Sequence, residues 1–242
     1  MENGNLEDYI LERNNKPLSW FSRFRILFEV ACALAFLRNS KSKPIVHRDL
    51  KPRNILLYKN FVRKIGDVGL VKIISDVVPE SITEHRNSIL AGTLGYIDPE
   101  YQRTSTLSPK SDLYAFGIII LQLLVACRLN GLIMKFENAV SSNLFVDIID
   151  NSVPDWPLIE AEDLARMALK CCKLRCRERP DLDTEVLPLL KRLAEFADMH
   201  TNVQKNLIQA PSPYFCPILQ EVMEDTQIAA DGFTYEHRAI RL

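Results

Sequence analysis

"IVHRDLKPRNILL", residues Ile45 to Leu57, decides the reading of this chain. An acid stands two residues after a histidine, a lysine two further on, and an asparagine three beyond that. A carboxylate (Asp49), an ammonium (Lys51) and an amide (Asn54) therefore share one short loop. Pro44 breaks the chain just upstream, and the short β-branched or apolar pieces "IVH", "NILLY" and "VRKI" predict small strands around that loop. The three groups suit phosphoryl transfer. A phosphoryl group in flight needs little covalent help, so a site supplies an acceptor for the hydroxyl proton, a cation near the transferred oxygens and oxygen ligands for Mg²⁺.

Upstream of the loop, "SWFSRFRILFEVACALAFL" places Trp20, Phe24, Leu27, Val30, Leu34 and Leu37 at the three-to-four spacing of an amphipathic helix, with Ser19 as its N-cap. Downstream, the polar stretch from Ser75 to Ile89 reads as a loop. "SDLYAFGIIILQLLVACRL" is apolar on nearly every side and predicts a helix buried all round. Two more helical patterns follow, "LIEAEDLARMALKCCKLRC" and "LDTEVLPLLKRLAEFADMH", with Pro180 suited to the start of the second. The fold class expected is mainly α with α+β elements. Periodicity fades after "ADMH", and Pro211 and Pro213 stiffen the chain, which places a linker over 199–211 between a unit at 1–198 and a smaller one at 212–242.

The 242 residues carry 47% hydrophobic and 25% charged side chains, enough to bury a real core. Thirty basic against thirty-one acidic residues leave a net charge of -1, so no overall field draws the chain to nucleic acid. No apolar run reaches the roughly 18 residues of a membrane span, and the acidic start "MENGNLEDY" does not resemble a signal peptide. A cytoplasmic protein is expected. Of the six cysteines, Cys171, Cys172 and Cys176 cluster in "CCKLRC", read as part of a helix; without a paired Cys-x-x-Cys or nearby histidines they read as reduced thiols.

The loop resembles the catalytic loop of the eukaryotic protein kinases, His-Arg-Asp-Leu-Lys-Pro-x-Asn, and its lysine points to the serine/threonine branch. The resemblance implies roles for further residues. Asp49, Lys51 and Thr93 would be catalytic. Asn54 and Asp67, the latter in "KIGDVGL" with Gly69, would hold Mg²⁺ and with it ATP, and Leu56 would be the apolar floor under adenine. "GTLGYIDPEY" supplies Asp98-Pro99-Glu100 where the family has Ala-Pro-Glu. Asp112 would brace the catalytic loop, and Arg179 would pair with Glu100 as a buried structural ion pair. Arg48 would receive a phosphate on the activation segment, with Ser88 and Thr83 as candidates; ordinary solvated hydroxyls are the alternative for these two.

The upper lobe of that family carries a Gly-rich loop, a strand lysine and a helix glutamate, and no such motif precedes His47. "MENGNLEDYI" is similar to the segment that enters the lower lobe. The expectation is a chain truncated at both ends, with the lower lobe alone and no intrinsic kinase activity.

"PSPYFCPILQEVMEDTQIAADGFTYEHRAIRL" resembles the front part of a U-box, the zinc-free relative of the RING domain in ubiquitin ligases. Asp231-Gly232 suits a tight turn, and Thr234 is read as the cap of a helix with Glu236 in its first turn. The resemblance implies a ββα-type segment in which Tyr214, Phe215, Pro217 and Ile218 grip a ubiquitin-conjugating enzyme, with no zinc. Such a ligase acts by holding the charged conjugating enzyme near its substrate.

The order of the two units is similar to that of the plant U-box protein kinases of the receptor-like cytoplasmic class. That implies protein substrates, contact with receptor-like kinases at the plasma membrane, no nucleic acid and no membrane span. Two functions stay open: a U-box ubiquitin ligase joined to a serine/threonine kinase, or an inactive interaction module built on the same parts.

Overall fold

In the computed structural model, residues 4–11, 17–39, 43–57, 63–73, 91–209, 226–228 and 234–236 are described. They form two compact units, Met1–Ala197 and Asp198–Leu242.

The first unit is organised by its helices. α1 (Leu6–Leu11) is short, and α2 (Trp20–Arg38) begins where Ser19 accepts a hydrogen bond from the Ser22 amide, the N-cap expected of it. α2 buries Trp20, Phe24, Leu27, Val30 and Leu34 of the stripe read from the sequence, with Ile26 and Ala31 beside it, while Leu37 near its end is half-buried. The loop that follows carries β1 (Ile45–Val46), β2 (Ile55–Leu57), β3 (Arg63–Ile65) and β4 (Lys72–Ile73). These make two antiparallel ribbons, β1 with β4 (Ile45 opposite Ile73) and β2 with β3 (Ile55 opposite Ile65).

Past residue 90 the chain is helical: α3 (Pro99–Thr104), α4 (Ser111–Val125), α5 (Leu132–Ser141), α6 (Leu158–Cys171) and α7 (Leu187–Gln209). Every residue of α4 is buried, so its lack of a polar face is matched by neighbours on all sides. α6 lies closest. Gly117 makes that approach possible: a Cβ there would sit 2.8 Å from the Cβ of Cys171 and 2.9 Å from the Ala168 carbonyl. One hydrophobic cluster runs from Leu6 through α2, α4, α5 and α6 to Ala197.

Polar groups pin this core. Arg23 of α2, only 3% exposed, donates to the carboxylate of Asp150 at 2.5 Å and to the Leu123 carbonyl at the end of α4, joining three parts of the chain. At the far end of α2, Arg38 pairs with Asp181, which caps the turn Leu182–Val186 by accepting from the amides of Asp183 and Thr184. Pro180 thus precedes the cap instead of opening the helix.

Two expectations are corrected, and a third segment is helical where fading periodicity gave no helix: α7 continues to Gln209, over most of 199–211. Residues 201–209 contain neither Gly nor Pro, and extending an established helix carries no new nucleation cost. Cys176 stands outside α6, in the 3₁₀ turn Cys176–Glu178. In the second unit, Thr234 and Glu236 belong to strand β6 (Thr234–Glu236), which pairs antiparallel with β5 (Thr226–Ile228), so Thr234 caps no helix. Thr-Tyr-Glu is short and carries a β-branched and an aromatic residue, which favours a strand. The helix expected to complete a ββα unit falls outside the described residues, as do Ser75 to Ile89 and Asp231-Gly232. Among the described residues no helix is long and apolar enough to cross a membrane.

Two outcomes are expected. Gly117→Ala should destabilise the first unit by about 1–3 kcal/mol through overpacking, read as a lower urea midpoint at unchanged m. The Arg38 bond, with help from the Thr184 amide and against slight burial, holds the Asp181 carboxyl down at about 2. Its folded value therefore lies below the roughly 3.9 of an unfolded aspartate, and its stabilisation is complete above that pH and lost as pH falls towards 2. Because both partners are about one-third exposed, Arg38→Gln should cost no more than about 1 kcal/mol at pH 7, and the difference from wild type should vanish near pH 2 in acid-titrated denaturation.

Candidate active site

The site forms where the loop between β1 and β2 meets the head of α4. Asp112, in the first turn of α4, accepts the backbone amide of His47 at 2.6 Å and that of Arg48 at 2.9 Å. Both amides would otherwise be orphaned under a turn in which Arg48 takes a φ of 71°, a left-handed conformation costly for a side chain of its size. Burial pushes the Asp112 carboxyl above its ordinary range, against those two amides and the charges of His47 and Arg48. His47, 1% exposed, ties the loop to the next segment by a 3.0 Å contact between Nε2 and the Gly66 carbonyl.

Held in this way, Asp49 becomes the hub of a compact network. Its Oδ1 accepts from the Thr93 hydroxyl at 2.6 Å and its Oδ2 from Lys51 Nζ at 2.7 Å; Lys51 also donates to Thr93 Oγ1 at 2.7 Å. Asn54, on the 3₁₀ turn Pro52–Asn54, donates from Nδ2 to the Asp49 backbone carbonyl at 2.8 Å and to Oδ2 at 3.2 Å. Thr93 arrives from a distant segment because Gly92 adopts a φ of 131° and packs on the Arg48 carbonyl, where a Cβ would come within 2.7 Å. Burial alone would raise the Asp49 carboxyl. The bonds from Lys51 and Thr93, the Lys51 charge and the Asn54 amide outweigh it and hold the group below the usual carboxylate range.

Asp67 and Gly69 form a separate turn in which the Gly69 amide donates to Asp67 Oδ1 at 3.4 Å, and Asp67 is exposed with a φ of 56°. The turn is tied to the loop through its backbone, since the Gly66 amide donates to the Asn54 carbonyl at 2.8 Å. With the Asn54 amide nitrogen engaged on Asp49, its Oδ1 is the acceptor left to face a cation. One amide oxygen and one exposed carboxylate are hard donors, few in number, which fits Mg²⁺, an ion that keeps waters and phosphate oxygens for its other positions. Among the described residues no cluster of three or more His, Cys, Asp or Glu could hold a metal. Leu56 is half-buried in β2, with its side chain over Gly66.

Arg48 turns away from Asp49: its guanidinium donates to the Tyr101 hydroxyl at 2.8 Å and lies 5.9 Å from that ring's centroid. Ser88, Thr83, Tyr214, Phe215, Pro217 and Ile218 lie outside the described residues.

The expected pairing of Arg179 is corrected. Its guanidinium, fully buried, makes a two-pronged salt bridge with Asp98, while Glu100 accepts the Cys176 backbone amide at 2.5 Å. Asp98 is the N-cap of α3, and it also accepts from the Glu100 amide and the Ser111 hydroxyl. An acid directly before a proline that opens a helix is a capping signal, so the sequence held a sign that was missed. Lys110, also missed, secures the same corner by donating to the Arg179 carbonyl at 2.7 Å.

Comparison with known proteins places the chain in a family. The family model "Protein tyrosine and serine/threonine kinase" matches residues 1–188. U-box domain-containing protein 34 of Arabidopsis thaliana is 61% identical over 241 residues, covering 99% of this chain and 30% of the relative. U-box domain-containing protein 35 of the same plant is 48% identical, over 99% of this chain and 29% of its own length. U-box domain-containing protein 70 of Oryza sativa subsp. japonica is 39% identical, over 100% and 30% respectively. The chain thus spans a little under one-third of these curated relatives.

The partner of Arg179 can be tested by substitution. Asp98→Ala should cost about 3–5 kcal/mol of stability, since it strands a buried guanidinium, whereas Glu100→Gln keeps an acceptor for the Cys176 amide and should cost about 1 kcal/mol or less. Urea denaturation of both variants distinguishes the two assignments.

Proposed function

From the premise that this chain belongs to the protein tyrosine and serine/threonine kinase family, we propose that Asp49 is the centre of a site that transfers phosphoryl from ATP to serine or threonine hydroxyls of protein substrates. The observation that carries this reading is the closed triangle of Asp49, Lys51 and Thr93, with sides of 2.6–2.7 Å. Asp49 orients the incoming hydroxyl and takes its proton as the bond to phosphorus forms. Lys51 stands where the transferred oxygens gather charge, and Thr93 fixes the Asp49 rotamer. Asn54 and Asp67 would hold Mg²⁺, which supplies neutralisation of phosphate charge when bound. Leu56 would lie against the adenine. Arg48, Gly69, Glu100, Asp112 and Arg179 shape the loop and the segment after it.

The names of the relatives extend the proposal to the whole protein: a U-box ubiquitin ligase joined to a kinase. In that reading Tyr214, Phe215, Pro217 and Ile218 grip a ubiquitin-conjugating enzyme, and transfer to the substrate is promoted by proximity. Its partners are then the conjugating enzyme, the protein substrates and receptor-like kinases, and its place is the cytoplasm. The alternative is an interaction module without catalysis, built on the same parts.

Phosphate incorporation from labelled MgATP into a serine-containing protein separates the two. Transfer that falls by about 10²–10⁴-fold in Asp49→Asn supports the enzyme. Equal incorporation by wild type and variant would sink the role given to Asp49, and absence of transfer by the intact wild-type protein favours the module.

A further inference from the structure

Behind the active site, the segment 104–110 between α3 and α4 runs beside the 3₁₀ turn Cys176–Glu178. Two open recesses lie there, of about 340 and 390 Å³. Ser108, Cys176 and Arg177 line both. The larger is completed by Arg38, Pro109 and Lys110, so three cations and no carboxylate line it. Its volume is many times the roughly 30 Å³ of a water molecule, and its chemistry is that of an anion site.

A hydroxyl sits on its wall. Ser108 is partly exposed; its Oγ accepts the Lys110 amide at 3.2 Å and a weak contact from Cys176 Sγ at 3.1 Å. Among the described residues it is the hydroxyl directly followed by proline, in "LSPK". Leu107, 8% exposed, anchors the segment beside it. The neighbouring hydroxyls have no such setting: Thr104 is turned back to the Glu100 carbonyl, and neither it nor Thr106 lines the cationic recess.

We propose that Ser108 is a modification site, phosphorylated by a proline-directed protein kinase, and that its phosphate is received in this recess by Arg177, Lys110 and Arg38. The partner kinase moves the terminal phosphoryl of a nucleoside triphosphate: the bond from Ser108 Oγ to phosphorus forms, the bond from phosphorus to the leaving diphosphate breaks, and the hydroxyl proton passes to the partner's base. The product carries nearly two negative charges. Arg177 is exposed and is the cation best able to swing onto it, while Lys110 already donates to the Arg179 carbonyl and Arg38 to Asp181. The nearby acids have cationic or backbone partners, Asp183 lying 3.9 Å from Arg38 and Glu178 3.8 Å from Arg175. Asp98 is neutralised by Arg179, Asp181 by Arg38, and Glu100 accepts the Cys176 amide on the side of the smaller recess. The phosphate would bridge the α3–α4 segment to the turn that carries Arg179. None of this depends on catalysis at Asp49.

The test has two arms. In the first, the full chain is treated with a proline-directed kinase and ATP and mapped by mass spectrometry; incorporation at Ser108 that is lost in Pro109→Ala is expected, and no incorporation at Ser108 overturns the proposal. In the second, phosphoserine is placed at 108 during translation and its second ionisation is followed by ³¹P NMR. Capture by the recess should lower it below the value near 6 of a free phosphoserine, with recovery in Arg177→Gln or at high salt. A phosphate that titrates as in an unfolded peptide overturns the assignment of the recess. So does saturable binding of inorganic phosphate to unmodified chain that is unchanged in Ser108→Ala, because it would make the source a free anion. Arg177 is exposed and outside the core, so its loss leaves the fold intact for comparison.

Discussion

The constraint on which everything else at the site depends is a single buried carboxylate. Asp112 is 7% exposed and spends both oxygens on the backbone amides of His47 and Arg48. Without it, the buried His47 amide would lose its partner beneath a left-handed Arg48 at a cost of about 1–3 kcal/mol, and the part-buried Arg48 amide would lose its own. The carboxylate can do this because it stands in the first turn of α4, a helix sealed on every side, where a negative charge is also favoured by the helix dipole. Core packing and loop conformation are thus one problem: whatever fixes α4 fixes Asp112, and Asp112 sets the backbone that aims Asp49.

What fixes α4 is in turn a set of polar clamps at its two ends and one missing side chain in its middle. At the head, Ser111 bonds Asp98, and Asp98 holds Arg179. At the tail, Arg23 reaches the Leu123 carbonyl while it pairs with Asp150. Between them Gly117 lets α6 approach to contact distance. Buried ion pairs add little net stability over an apolar equivalent, but each penalises any packing that would separate its partners. Their value here is register.

Much of this was legible in the sequence, and what was not has physical reasons. The stripe on α2, the Ser19 cap and the all-round burial of α4 follow from residue types alone, because helix periodicity and hydrophobicity are local properties. The loop that carries Asp49 could be read as a motif. Its geometry could not, because Thr93 arrives from 44 residues away and only the fold brings its hydroxyl to Asp49. The partner of Arg179 was misread because two acids flank Pro99, and which of them meets a distant arginine is decided by the direction in which α3 leaves its cap. The purpose of Gly117 lies on α6, 51 or more residues along the chain, where no local pattern reveals it. The continuation of α7 past His200 was missed for a different reason, since weakening periodicity in the sequence does not by itself end a helix that is already nucleated.

The electrostatics of Asp49 bear on how the proposed transfer would work. A strong general base at neutral pH has its pKa near 7, and a site built for that would bury a carboxylate away from cations. Here burial is overruled by Lys51, Thr93 and Asn54, and the carboxyl is held below the ordinary range. Such a group is a poor base towards a ground-state hydroxyl. It is a good hydrogen-bond acceptor, fixed in direction, and it can take the proton once the oxygen has begun to bond to phosphorus and the hydroxyl has become acidic. That division suits a loose transition state, in which the nucleophile carries little charge until late and positioning counts for more than proton abstraction. In the proposed transfer, the same lysine that weakens Asp49 as a base would meet the negative charge of the phosphoryl oxygens, so one ion pair would both orient the acceptor and stabilise the group in transit.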